Sequence, residues 1–102
     1  MQDFITARQS EIAELCRTHH VRRFSVFGSA TRDDFDPAKS DVDVRVEFES
    51  DDLPDYVSNL HELHDKLTEL FGRKVDILSA REIRNPRLRK IIEEAQVTMY
   101  AA

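Results

Sequence analysis

A single cysteine, Cys16, stands in the 102 residues. It excludes an internal disulfide and a zinc site built from several cysteines. Two glycines and three prolines leave no room for a long disordered linker. No apolar run approaches the ~20 residues of a membrane span, so no membrane association is expected. The first twelve residues carry Asp3 and Glu11 and lack an apolar core segment. No signal peptide is therefore expected, and the cytoplasm is the expected compartment. A basic excess is also missing. Fifteen Lys and Arg against twenty Asp and Glu leave a net charge of −5, which argues against direct nucleic-acid binding. The length suits one compact domain, residues 1–102, and is too short for a catalytic domain with a large substrate domain beside it.

The charge that is present is segregated. Residues 33–55 hold ten acids and two bases, Lys39 and Arg45. Residues 73–90 hold seven bases and two acids, Asp76 and Glu82. Solvated surface charge is the ordinary explanation for such runs. An acidic block folded beside a basic one can also hold a metal and an anion together.

Hydrophobic periodicity predicts helices over 3–19, 54–71 and 86–95, and strands over 22–27, 41–48 and 74–78. A short helical turn begins at Ser29, and 97–100 is a candidate edge strand. Leu88, Ile91 and Ile92 are the expected buried face of the last helix. The order predicts an α+β fold, a small mixed sheet flanked by helices.

Asp41-Val42-Asp43 opens the clearest strand. Alternation sends both carboxylates to one face and Val42, Val44, Val46 and Phe48 to the other. Two carboxylates roughly 7 Å apart along a strand repel unless a cation sits between them. Oxygen ligands at that spacing suit Mg²⁺, which keeps waters and takes substrate phosphate oxygens. Asp76, on the otherwise apolar strand 74–78, can face the same spot if the two strands are neighbours. Three convergent carboxylates form the protein part of many phosphoryl-transfer sites. A half-exposed edge with solvated acids is the competing explanation. Gly28-Ser29 follows a strand and opens a turn, where backbone N–H groups and a hydroxyl can hold phosphate. A plain helix cap is the alternative role of Ser29. Arg32 lies one turn on and can reach phosphate or pair with Asp33 or Asp36. Arg45 lies on the acid face; it pairs with Glu47 or a neighbouring acid, or touches phosphate or a partner. His61 and His64 lack a matching third ligand and are read as surface residues. His19 and His20 close the first helix, and Cys16 is read as a small core residue.

Gly28-Ser29, followed after eleven residues by Asp41-Val42-Asp43, resembles the signature of the DNA polymerase β-like nucleotidyltransferases. The string FGSATRDDFDPAKSDVDVRVEF is similar to their minimal branch, the MNT-type proteins, and the likeness continues through LFGRKVDILSAREI to MYAA. The resemblance implies the polymerase β-like nucleotidyltransferase fold. It implies that Gly28 and Ser29, with Arg32 and Ser40 nearby, hold the triphosphate of ATP. It further implies that Asp41 and Asp43 bind Mg²⁺ and that Asp76 is the third catalytic carboxylate, completing a second metal site or acting as general base. The resemblance also implies a HEPN-type ribonuclease toxin as partner in a hetero-oligomer: many members pair with one, and in examples of the family the nucleotidyltransferase, as antitoxin, transfers AMP from ATP to a toxin tyrosine. The interval from Ser29 to Asp41 is one residue longer than usual, and Arg45 stands where the family is usually apolar. A binding antitoxin that covers the toxin without catalysis is the alternative function. A small-molecule adenylylating enzyme would need a helical substrate domain that this sequence lacks.

Overall fold

The structure, a computed structural model, describes residues 1–32, 35–50, 52–80 and 83–102. The chain runs α1 (Asp3–Thr6), α2 (Gln9–Thr18), β1 (Val21–Phe27), a 3₁₀ turn (Gly28–Thr31), β2 (Val42–Phe48), α3 (Tyr56–Phe71), β3 (Val75–Ser79), α4 (Pro86–Ala95) and β4 (Val97–Ala101). The four strands form one mixed sheet in the order β3-β2-β1-β4. β1 is antiparallel to β2 and to β4, and β2 is parallel to β3. The α3 crossover makes the parallel pair possible, since parallel neighbours cannot be joined by a tight turn.

Alternation along β2 divides the molecule. Val42, Val44 and Val46 are fully buried, and Phe24, Val26 and Val75 of the neighbouring strands join them. Ile5 of α1, Ile12 and Cys16 of α2, and Leu63, Leu67 and Phe71 of α3 complete this core. The apolar stripes of the first three helices therefore cover one face. The other face carries Asp43, Arg45 and Glu47, and α4 reaches it.

The predicted first helix is two pieces. Ala7 closes α1 by donating its backbone N–H to Asp3 O, and Ile12 N–H bonds Arg8 O as α2 begins. The break falls at Ala7 and Arg8, both exposed, so neither side chain holds a continuous helix on the core. The helix predicted from Pro54 starts at Tyr56, because Asp55 sits in the left-handed region at φ 54°. Gly72, also left-handed at φ 65°, ends it as expected. α4 begins at Pro86 under an Asn85 cap, whose side chain accepts from the N–H groups of Arg87 and Leu88.

One burial expectation fails. Ile92 is buried, but Leu88 is 44% and Ile91 58% exposed. α4 turns one narrow stripe to the sheet, so only the residue at its centre is covered. Among the described residues, no helix is long and apolar enough to cross a membrane.

Candidate active site

β1 ends at Phe27, whose partner on β2 is Asp43. The next residue, Gly28, therefore crosses directly over the Asp43 side chain. Its φ of +72° is a conformation that L side chains rarely adopt, and a Cβ there would lie 2.5 Å from Asp43 Oδ2. The backbone geometry favours glycine here, and any Cβ would have to turn the Asp43 carboxylate aside. Ser29 and Ala30 continue the turn, which no side chain caps from the preceding residue. Thr31 instead ties the turn internally, its hydroxyl donating to Gly28 O at 2.8 Å. From the side, Gln2 N–H donates to Ala30 O at 3.0 Å.

The parallel register sets Asp43 opposite Asp76 and Val42 opposite Val75. Asp76 thus faces Asp43 across adjacent strands, as the alternation of both sequences requires. Asp43 is half-buried and Asp76 exposed. Burial first, then the charges of Asp76 and Asp41, push the Asp43 carboxyl above its ordinary value. Asp41, just before β2, lies 3.6 Å from Lys74 Nζ. The link is the same register one residue back, where Val42 N–H donates to Lys74 O at 3.0 Å. Nothing in the sequence alone sets Lys74 apart; the parallel in-register pairing of the two strands is the signal that exposes it.

These acids repel one another, and a cation among them would relieve that repulsion. Among the described residues, no three His, Cys, Asp or Glu side chains close into a metal cage. All-oxygen donors of this kind instead fit a hard cation such as Mg²⁺, held by one or two carboxylates and completed by water and phosphate oxygens.

The remaining sequence candidates lie as follows. Ser40 is drawn into its own loop: its hydroxyl accepts from Asp36 N–H at 3.0 Å, and its N–H donates to Asp36 O at 2.7 Å. Arg32 is exposed and follows the turn in extended backbone. The proposed Asp33 partner of Arg32 lies outside the described residues, as does Arg81 of the basic stretch. Arg45 does not pair with Glu47, which lies 3.7 Å from Arg22 and 3.6 Å from Arg23. It turns instead beneath α4, donating from Nη1 to Gln96 Oε1 at 3.2 Å, with Glu93 Oε1 at 3.5 Å. Arg22 and Arg23 sit nearer the end of β2, so Glu47 is taken and the guanidinium is left to the helix. His64 bonds Val75 O at 2.9 Å, capping the free edge of β3, and His61 is exposed. Both border a cavity of about 370 Å³ that Asp76 also lines. His19 bonds Leu15 O at the end of α2.

Comparison with known proteins places the chain in a family. The family model for the nucleotidyltransferase domain matches residues 10–97. Two Methanocaldococcus jannaschii relatives, named "Putative protein adenylyltransferase" MJ0128 and MJ1379, are 39% and 36% identical to the chain. Each match spans 83% of this chain and 91% of the relative. The solved structure of a "putative minimal nucleotidyltransferase" superposes with a TM-score of 0.77 at 33% identity, covering 94% of this chain and 95% of the other. The fold also matches a toxin–antitoxin structure with AMP-PNP, at a TM-score of 0.71 and 21% identity over 92% of this chain and 73% of the other. A tri-AMPylated Shewanella oneidensis HEPN toxin in complex with its MNT antitoxin matches at 0.66 and 19%, over 95% and 72%. By its domain match, its relatives and its sheet, the chain belongs to the nucleotidyltransferase family and has the minimal nucleotidyltransferase fold.

Proposed function

We propose that the chain is a protein adenylyltransferase that moves AMP from ATP to a hydroxyl, a tyrosine by preference, of a cognate HEPN-type ribonuclease and so acts as its antitoxin. The observation that carries this reading is the stacking of Gly28 on Asp43 with Asp76 in register beside it. A turn is thereby built against a pair of repelling acids. The curated relatives' names and the AMP-bearing toxin complex support this choice of substrate class.

In this account Ser29 and the N–H groups of its turn hold β- and γ-phosphate oxygens. Gly28 keeps the approach to Asp43 open. Asp41 and Asp43 would hold Mg²⁺, which would supply charge neutralisation for the triphosphate. Asp76, exposed and facing Asp43, accepts the proton of the attacking hydroxyl; general-base help of this kind contributes about 10²- to 10⁴-fold. The hydroxyl oxygen bonds to the α-phosphorus, the bond to the bridging oxygen breaks, and pyrophosphate leaves. Lys74 balances Asp41 until nucleotide arrives. The protein works in the cytoplasm, with the ribonuclease as its partner subunit.

ATP dependence tests the reading against neutralisation by covering alone. The partner's ribonuclease activity is assayed after incubation with the chain, with and without ATP and Mg²⁺, followed by removal of the chain. Adenylylation leaves the partner inactive only when ATP was present. Inhibition that needs no ATP and ends when the chain is removed would mean that binding, not transfer, neutralises.

A further inference from the structure

A guanidinium buried on the acid face is costly. Arg45 is 7% exposed, and withdrawing such a charge from water carries a desolvation penalty that its partners must offset. Those partners are few: Gln96 Oε1 at 3.2 Å and Glu93 Oε1 at 3.5 Å. Its Nε is buried with no acceptor among the described residues. The cost falls at one place in the fold, the junction of α4 with β4.

That helix needs a fastening. Ile92 is its one buried residue, and Leu88 and Ile91 are exposed. At the N-terminal end, Arg89 Nη2 reaches the carbonyl of the buried Ile83 at 2.6 Å. At the C-terminal end, Arg45 alone among the β2 side chains bonds it, gripping Glu93 and Gln96. α4 in turn passes beside the turn Gly28–Thr31. A continuous path therefore runs from the middle of the acid strand, through Arg45 and α4, to the turn that crosses Asp43.

We propose that Arg45 is a positioning residue that clamps α4 against the Gly28–Thr31 turn and thereby holds the nucleotide site in shape. The inference rests on the reading of that turn as the triphosphate cradle. Arg45 stays away from substrate and acts through the helix. A hydrophobic residue of similar length fills the same space without the burial cost, and such exchanges are often neutral or stabilising. The fold then survives while the clamp is lost.

The test titrates the full chain with Mg²⁺ and AMP-PNP by calorimetry and follows thermal melting of the same samples. Arg45→Met is expected to bind roughly tenfold more weakly at an unchanged or higher melting temperature. Arg45→Lys, which keeps a cation in reach of Glu93, is expected to recover most of the affinity. A purely structural arginine would change melting and leave affinity alone. Should Arg45→Met fail to melt cooperatively, Gln96→Met decides, since it removes one acceptor and leaves Glu93 on the guanidinium; weaker binding supports the clamp. Wild-type affinity in the folded variant overturns the inference. Absence of binding by the wild-type chain is a different result: it overturns the reading of the turn, and the clamp with it.

Discussion

Replacing Gly28 by alanine separates a backbone cost from a site cost, because the chain contains its own control. Gly28 and Gly72 both have left-handed backbone, at φ +72° and +65°. An alanine in that region costs about 1–2 kcal/mol. In a domain of about 100 residues each kcal/mol lowers the melting temperature by roughly 4–8 °C. Gly72→Ala should show that loss and nothing more, since a Cβ there meets nothing within 4 Å. Gly28→Ala carries the same backbone cost and also sets a methyl 2.5 Å from Asp43 Oδ2. The carboxylate is the mobile end of a side chain, so the fold yields by turning it aside. The site does not tolerate this, because displacing a reacting group by about 1 Å can cost roughly 10²-fold in rate. Paired thermal melts and AMP-transfer rates on the two variants measure both terms. The expected pattern is similar stability losses with transfer lost only in Gly28→Ala. Equal transfer by the two variants would refute the claim that Gly28 exists to clear Asp43.

Asp43→Asn gives a pH signature. With its folded-state value raised, Asp43 holds a proton more tightly folded than unfolded, so its contribution is fully present at acid pH. It falls as pH rises from the ordinary carboxylate range through the raised value. In metal-free buffer, urea midpoints of Asp43→Asn should match wild type at the acid end and exceed it at neutral pH. A constant difference at all pH values would contradict this. Ile92→Ala should lose about 2–4 kcal/mol in denaturant titration, whereas Ile91→Ala should change stability by less than ~0.5 kcal/mol. Cys16, buried with its thiol pushed up to about 12, should resist a thiol reagent at mildly alkaline pH until denaturant unfolds the chain. Labelling of the folded protein at the rate of a free thiol would contradict that assignment.

The strands were the legible part of this molecule. The alternation at 42–48 dictates which side chains enter the core, and the acid face follows without further information. The pairing of Asp43 with Asp76 was conditional on strand adjacency, which periodicity cannot supply; the α3 crossover and the parallel register provide it. The sequence marks Gly28 by its backbone freedom after a strand, but its closeness to Asp43 needs the antiparallel register of β1 on β2. Arg45 shows where local reasoning stops. Glu47 is its neighbour in sequence and on the same face, yet Arg22 and Arg23 from the adjacent strand take Glu47. The acceptors that Arg45 finds lie 48 and 51 positions away in a helix and its cap. Leu88 and Ile91 fit the helical stripe as well as Ile92 does. Which of the three is covered depends on how α4 rolls on the sheet, a tertiary fact.

The most direct test of the central claim is an intact-mass spectrum of the cognate HEPN-type partner after incubation with this protein, ATP and Mg²⁺, alongside the Asp41→Asn, Asp43→Asn double variant. The partner mass should rise by one or more AMP units with the wild-type chain and stay unchanged with the folded double variant. An unchanged partner mass with the active-site acids intact, or an equal gain with both acids removed, would contradict it.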